Sequence, residues 1–193
     1  MDSRTDTELM VAVRSGEISL LAELFDRHHV RLFNFFLRLT DRRDSSEDLV
    51  QEVFLRMLKY RTSYRADASF AVWMYRIARN VVTDQWRKSG TFEPLELAAE
   101  LIAPAVSPFD SARLDEEVAI LRAAFFSLAE DRRELLVLIR FEGLRHDEIS
   151  ELLGCSVGAV RVRAHRALAE LRDAYSALTG GDNDLRRAER TAD

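Results

Sequence analysis

The sequence predicts an all-α protein with two helical domains joined by a flexible linker. Glycine and proline, the residues that most often interrupt helices, number only 7 and 3 among 193 residues. Apolar side chains recur at helical spacing, whereas no stretch alternates with the period of two that indicates a β-strand. All three prolines lie between residues 94 and 108, which separates one helical region from another.

Charge is distributed unevenly along the chain. The 28 basic and 33 acidic residues give a net charge of −5, which argues against a generic polyanion binder. Residues 1–90 carry 15 basic and 13 acidic side chains, whereas residues 91–117 carry 1 and 7. Residues 91–117 therefore account for the negative charge, and any DNA-binding surface has to be sought locally.

The composition also indicates a cellular compartment. The single cysteine, Cys155, excludes an internal disulfide and is typical of a reducing compartment. The charged N-terminus contains no signal-peptide apolar region, and no apolar run approaches the length of a membrane span. We therefore expect a cytoplasmic protein with no membrane insertion.

The first predicted domain comprises residues 1–89. Its opening helix ends at Gly16, and a second apolar stripe extends from Leu21 to Leu39 at helical spacing. Ser45 and Ser46 precede two acidic residues, which predicts an N-cap for the next helix. A last helix is predicted over residues 68–88, and its buried face comprises Phe70, Trp73, Met74, Ile77 and Val81.

An acidic, proline-containing linker at residues 90–111 leads to the second predicted domain, residues 112–178. Its helices are predicted over residues 118–128, 132–141, 146–153 and 157 to about 178. The short third helix, the turn after it and the longer basic helix form a helix-turn-helix pattern. The tail at residues 179–193 lacks apolar anchors and is predicted to be disordered.

The last predicted helix combines an apolar face with a basic one. Small residues flanked by arginines are typical of a helix that enters a DNA major groove, and Ser156 is its predicted N-cap. A solvated basic face is the alternative interpretation. The predicted DNA-contacting residues are Ser156, Gly158, Ala159, Arg161, Val162, Arg163, His165 and Arg166.

Two further surfaces have candidate binding chemistry. The outward face of the 68–88 helix is aromatic and basic, as expected for a platform that stacks unpaired bases; it comprises Tyr75, Arg76, Arg79, Asn80, Asp84, Trp86, Arg87 and Lys88. The preceding loop adds Tyr60, Arg61, Tyr64 and Arg65. A second surface is acidic and favours a basic partner. It comprises Glu47, Asp48, Gln51 and Glu52, beside Leu55 and Arg56. The alternative interpretation of the 68–88 helix is an ordinary amphipathic helix. The alternative for the acidic surface is that the helix dipole favours carboxylates in a first turn without any partner.

Enzymatic function has little support. His28 and His29 lack the spacing of a metal-binding HExxH helix, and the sequence contains no Walker loop, GxGxxG or GxSxG motif. We therefore predict no metal, no cofactor and no catalytic residue. Two other classes stay open at this point: a stand-alone helix-turn-helix regulator, and an all-α metal enzyme that uses His28, His29 and nearby acids.

Three segments together resemble the extracytoplasmic-function (group IV) sigma factors of bacterial RNA polymerase. They are SSEDLVQEVFLRML, FAVWMYRIARNVVTDQWR and LAEDRRELLVLIRFEGLRHDEISELLGCSVGAVRVRAHRALAELR, in that order around the linker. The resemblance implies that residues 1–89 are sigma domain 2 and residues 112–178 are sigma domain 4. It also implies a transcription initiation factor that binds core RNA polymerase, reads the −35 element and opens the −10 element of promoter DNA.

The resemblance also assigns roles to individual residues. It implies docking on the largest polymerase subunit by Asp48, Gln51, Glu52 and Leu55, and binding of domain 4 to the second-largest subunit. It implies −10 contacts by Tyr64, Arg65, Phe70, Trp73, Arg76, Arg79, Asn80, Asp84 and Arg87. It implies that the predicted DNA-contacting residues of the last helix contact the −35 element. An anti-sigma factor is an expected partner, and no stable homo-oligomer is expected.

Several positions depart from the family pattern. Ala159 and Val162 stand where threonine and serine are frequent, and the loss of those hydroxyls shifts the expected contacts toward thymine methyl groups. The promoter sequence therefore cannot be copied from relatives.

Overall fold

The computed structural model describes the backbone of residues 4–89 and 108–189, and the side chains of residues 4–87 and 116–180. Within these ranges, the regular elements are helices and none is a strand. Two short 3₁₀ turns, Ile18–Leu20 and Arg61–Ser63, accompany eight α-helices. These are α1 (Asp6–Ser15), α2 (Leu21–Thr40), α3 (Arg43–Lys59), α4 (Phe70–Ser89), α5 (Pro108–Phe126), α6 (Glu130–Arg140), α7 (His146–Leu153) and α8 (Val157–Glu189).

The chain forms two compact units. Unit 1 comprises residues 1–95 and 137–160, and unit 2 comprises residues 96–136 and 161–193. This division differs from the predicted domain boundaries, since residues 137–160 were expected in the second domain. The physical reason is that α7 and the turn before it pack on α4 and α2. Residues 90–107 of the predicted linker lie outside the described residues.

The core of unit 1 lies between α2, α3 and α4. The Phe35 ring is fully buried, with its centroid 5.3 Å from that of Phe36 and 5.2 Å from that of Tyr75. The stripe predicted from Leu21 to Leu39 is buried at Leu24, Leu32 and Leu39, whereas Phe25 within it is 37% exposed. A capping box starts α1, where the Thr5 hydroxyl accepts from the Glu8 amide at 3.3 Å.

The predicted N-cap of α3 is wrong. The helix begins at Arg43, so Ser45 and Ser46 lie inside it. The Ser46 side chain is fully buried and its hydroxyl donates to the Arg42 carbonyl at 2.6 Å. Because α2 ends in a left-handed turn at Asp41, with a φ of 57°, the chain re-enters a helix almost at once.

Unit 2 has a smaller core, in which Leu128, Leu136 and Ala167 pack with Phe125 and Leu171. An ion pair between Arg132 of α6 and Glu170 of α8 joins the two helices at its edge.

The last helix is longer than the sequence predicted. It continues past Leu178 to Glu189, so most of the tail predicted to be disordered is helical. Helix formation is possible there because the segment contains no proline, and a glycine inside a helix costs only about 1 kcal/mol. In the described residues, no helix is both long and apolar enough to cross a membrane.

The core arrangement predicts a large effect of Phe35→Ala. Removal of this fully buried ring should lower the free energy of unfolding by about 3–5 kcal/mol, because it leaves a cavity between α2 and α4. Val30→Ala is a matched control on the same helix, since Val30 is 57% exposed and its truncation should cost less than about 0.5 kcal/mol. Urea unfolding followed by circular dichroism measures both. Equal effects of the two changes would contradict the described core.

Candidate nucleic-acid interface

Helix α4 has one buried face and one polar face. Phe70, Trp73, Met74, Ile77 and Val81 are buried, as predicted. On the other face, Arg76, Asn80 and Arg87 are exposed, while Arg79 and Asp84 are half-buried. The polar members of the predicted −10 set therefore lie on the side of α4 that points away from the α2–α3 core.

The aromatic residues are placed differently from the predicted stacking platform. Tyr75, predicted to face outward, is buried because its ring packs on Phe35 and its hydroxyl donates to the Glu142 carboxylate. Tyr64 is also buried, with its ring centroid 5.1 Å from that of Trp73 and 6.3 Å from that of Phe70. Three aromatic members of the predicted −10 set thus pack against one another. Tyr60, which was not in that set, is 48% exposed.

A pocket of about 330 Å³ lies beside the exposed part of α4. Its lining includes Arg56, Tyr60, Asn80, Thr83, Asp84 and Arg87. Sequence reasoning placed Asn80, Asp84 and Arg87 at one binding surface, and the structure brings them together. It placed Arg56 beside the acidic surface and Tyr60 in the loop before α4, and it missed Thr83, because only the packing of α3 on α4 brings these side chains together.

Arg56 connects the acidic surface of α3 to this pocket. Its guanidinium donates to Glu52 at 2.6 Å and to Asp84 at 2.7 Å. Partial burial opposes the charge of Arg56, but the hydrogen bonds that it donates to both carboxylates raise its pKa above the ordinary value. Arg87 also approaches Asp84, at 3.4 Å. Asp84 thus holds two arginines at the pocket. The sequence signal for the Glu52–Arg56 pair was their spacing of four residues, which places both side chains on one face of a helix.

The rest of the predicted polymerase-binding surface is open. Asp48 and Gln51 are exposed and Leu55 is 62% exposed, whereas Glu52 is half-buried by its pair with Arg56. In the loop before α4, Arg65 is exposed and pairs with Asp67 at 2.7 Å. The hydrogen bond to Asp67 raises the pKa of Arg65.

Two arginines of α4 contact α7. The Arg76 guanidinium lies 3.4 Å from the Glu151 carboxylate, and Arg79 donates to the Leu152 carbonyl at 3.4 Å. These contacts are within unit 1. Arg76 and Arg79 therefore already have partners on the face where −10 contacts were predicted.

Helix α8 starts as predicted, because the Ser156 hydroxyl accepts from the Ala159 amide at 3.2 Å. A Cβ built on Gly158 would meet only the Ser156 hydroxyl, at 3.9 Å, so packing does not require glycine there. Ala159 is half-buried, and Val162 is 51% exposed. The remaining predicted −35 residues are all exposed: Ser156, Gly158, Arg161, Arg163, His165 and Arg166.

The histidines considered for a metal enzyme have other contacts. His28 Nε2 lies 2.7 Å from an Asp6 carboxylate oxygen, and His29 stacks on Phe25 with ring centroids 4.9 Å apart. Among the side chains of residues 4–87 and 116–180, no three His, Cys, Asp or Glu residues gather as metal ligands would.

Comparison with known proteins identifies related sequences over most of the chain. The family profile of sigma-70 region 2 matches residues 24–91, and that of sigma-70 region 4 matches residues 119–171. The RNA polymerase sigma factor CarQ of Myxococcus xanthus is 32% identical over 173 residues, 88% of this chain and 97% of CarQ. The ECF RNA polymerase sigma factor SigW of Bacillus subtilis is 28% identical over 171 residues, 83% of this chain and 91% of SigW.

A solved structure shows the same fold. CnrH, in its complex with the cytosolic domain of CnrY, aligns with a TM-score of 0.68 at 26% identity. The alignment covers 92% of this chain and 98% of CnrH.

The N-cap of α8 gives a prediction about the stability of the folded chain. Ser156→Ala should lower the free energy of unfolding by about 1 kcal/mol, whereas Ser156→Asp should retain most of the stability because aspartate also caps. Ser176→Ala, at an exposed position farther along α8, is the control and should cost nothing measurable. Thermal and urea unfolding report the differences. Equal stability of the alanine and aspartate variants at position 156 would contradict a capping role.

Proposed function

Because this chain belongs to the extracytoplasmic-function group of the sigma-70 family, we propose that it binds core RNA polymerase and directs it to specific promoters. The chain acts as a transcription initiation factor in the cytoplasm and is not itself an enzyme. The observation that carries the residue assignments is the polar face of α4 with its adjacent pocket.

The α4 pocket combines three kinds of contact that an unpaired base needs. The Tyr60 ring offers a stacking surface, the Asn80 amide both donates and accepts hydrogen bonds, and Arg87 carries a positive charge for the backbone. Stacking of one base on an aromatic side chain is worth about 1–3 kcal/mol, comparable to the cost of unstacking a base step. We assign −10 reading and strand trapping to this pocket.

The buried aromatic residues then have a supporting role. Tyr64, Phe70 and Trp73 hold the loop at residues 60–69 against the start of α4, since their rings pack together. Arg14 reinforces the loop by donating to the Tyr64 carbonyl at 2.9 Å. This support leaves Tyr60 and Arg65 on the surface, where they are available to DNA.

We assign recognition of the −35 element to α8. Arg161, Arg163 and Arg166 are exposed along the helix and can reach phosphates or guanine edges, while the exposed Val162 suits a thymine methyl group. The Ser156 hydroxyl occupies the Ala159 amide, and the helix geometry directs the other amides of the first turn toward an approaching phosphate.

Protein partners are assigned to separate surfaces. Asp48, Gln51 and Leu55 of α3 form the dock for the largest polymerase subunit, and Glu52 contributes by fixing Arg56. Residues 112–178 bind the second-largest subunit. An anti-sigma factor controls the chain, an assignment supported by the family and by the relative CnrH, whose structure holds the cytosolic domain of CnrY.

Run-off transcription with purified core polymerase on genomic fragments tests the proposed function. Initiation from a defined set of fragments is the expected result. If no fragment is transcribed and the chain does not co-purify with core polymerase, the proposed function is wrong.

Asn80→Ala tests the pocket. It should reduce promoter opening at least about fivefold, because a lost hydrogen bond to a base is worth roughly 1 kcal/mol, while core binding stays unchanged. Permanganate footprinting of the −10 region measures opening, and co-purification measures core binding. Gln85→Ala, also an exposed amide on α4 but outside the pocket, is the matched control. Parallel loss of opening and core binding would refute the assignment.

Arg166→Ala tests the −35 assignment. Loss of a bidentate base contact should weaken binding of polymerase holoenzyme to its promoter by about 1–3 kcal/mol and relax the sequence preference at one −35 position. Arg172→Ala is the control, because Arg172 is exposed farther along α8 and pairs with Asp173. Binding is measured on promoter variants at fixed salt. An unchanged preference for the −35 sequence would contradict a contact between Arg166 and the DNA bases.

A further inference from the structure

Helix α1 is attached at both of its ends to other parts of unit 1. At its first residue, one Asp6 carboxylate oxygen accepts from the Arg27 guanidinium at 2.7 Å, and the other lies 2.7 Å from His28 Nε2. At its other end, the Arg14 guanidinium donates to the Tyr64 carbonyl at 2.9 Å. The helix therefore connects α2 to the loop that precedes α4.

The middle of α1 is packed firmly against its neighbours. A capping box fixes the first turn of the helix. Three residues at helical spacing are fully buried: Leu9, Met10 and Val13. A packed helix of this length, about 15 Å, is stiff, so the contacts at one end restrict the position of the other. The place of Arg14 is thus set by the whole helix rather than by its own side chain.

The Tyr64 carbonyl marks the point at which the loop leaves its 3₁₀ turn. The Ser63 amide donates to the Tyr60 carbonyl at 2.9 Å and closes that turn. Tyr64 is then extended, with a φ of −68° and a ψ of 132°. Its side chain is buried, and its hydroxyl lies 3.4 Å from the Thr7 hydroxyl of α1. Both the main chain and the side chain of this residue therefore contact α1.

This attachment restricts the exposed part of the loop. Tyr60 is 48% exposed and lines the α4 pocket. Because the turn between Tyr60 and Tyr64 is hydrogen-bonded, fixing Tyr64 also limits where the Tyr60 ring can lie. Arg65, which follows the anchored carbonyl, is exposed as well. A loop that is ordered before binding loses less entropy when it captures an unpaired base.

We propose that α1 positions the strand-trapping loop, and that Arg14 is a positioning residue for promoter opening that does not itself contact DNA. The proposal rests on the proposed function, since it requires Tyr60 to stack on an unpaired base. Arg14 is exposed, so its loss leaves the core intact. The loss lowers the fraction of molecules in which the Tyr60 ring is placed to stack, and it leaves the surfaces for core polymerase and the −35 element unchanged.

Arg14→Ala tests this role in the complex of the full chain with core polymerase. On a fragment that supports run-off initiation, it should reduce permanganate reactivity of the −10 region at least about threefold. Co-purification with core polymerase should be unchanged. Arg14→Lys keeps a charged donor and should restore most of the opening. Arg4→Ala is the control, because the Arg4 side chain is 53% exposed and pairs with Glu17 instead of the loop.

A double-mutant cycle identifies the route of the effect. In the Tyr60→Ala background, Arg14→Ala should cause no further loss of opening, because no ring remains to be positioned. The salt dependence of promoter binding separates positioning from a direct contact. Loss of one phosphate contact would reduce the slope of log K against log salt concentration by about 0.7 to 0.9, whereas Arg14→Ala should leave this slope unchanged.

The far end of α1 provides an independent variant. Asp6→Asn weakens the attachment to Arg27 and His28 without changing a residue of the loop or the pocket, and it should also reduce opening. Glu23→Gln is the matched control, because Glu23 also pairs with Arg27 but lies on α2. Its opening should equal that of the unmodified chain.

Four results would overturn the proposal: unchanged opening by Arg14→Ala, a parallel loss of core binding, an equal loss of opening with and without the Tyr60 ring, or a reduced salt slope. Equal effects of Asp6→Asn and Glu23→Gln would contradict the role of α1 as a whole. Each result is distinguishable from failure of the proposed function, because run-off initiation by the unmodified chain is measured with the same preparation.

Discussion

Glu142 buries a carboxylate between Arg31 of α2 and the Tyr75 hydroxyl of α4, and the attachment of the α6–α7 turn to these two helices depends on that contact. Loss of either partner would leave a charge in a site with almost no water, which proteins avoid by changing conformation or protonation. The contact therefore ties residues 137–153 to α2 and α4 although they are far away in the chain. It also places α7 on the arginines of α4.

Helix α4 has to satisfy two requirements at once. Its apolar face forms a core with α2 and α3, which fixes the helix and leaves its polar face at a defined surface. On that face Asp84 holds Arg56 and Arg87 beside Asn80 and Tyr60, so the pocket is organised before any ligand binds. A preformed pocket loses less side-chain entropy on binding a base than an unstructured loop would.

Local features were the most predictable from the sequence. The helical periodicity of α1 to α4, the cap at Ser156 and the exposed arginines of α8 each depend on neighbours a few residues away. Tyr75 was misplaced because its orientation depends on Glu142, 67 residues later in the chain. The start of α3 was misplaced because α2 ends in a left-handed turn at Asp41, after which the next helix begins at Arg43 and places Ser46 inside it. Arg56 and Tyr60 line the pocket only because α3 packs on α4.

Site-specific photo-crosslinking from position 76 of α4 tests most directly whether one surface serves both α7 and promoter DNA. A crosslinking amino acid at this position should attach to residues 146–153 in the free chain. In the complex with core polymerase and an opened promoter, it should attach instead to the non-template strand at the −10 element. Crosslinks to α7 that persist unchanged in the opened complex, with none to DNA, would contradict the DNA-reading role of α4.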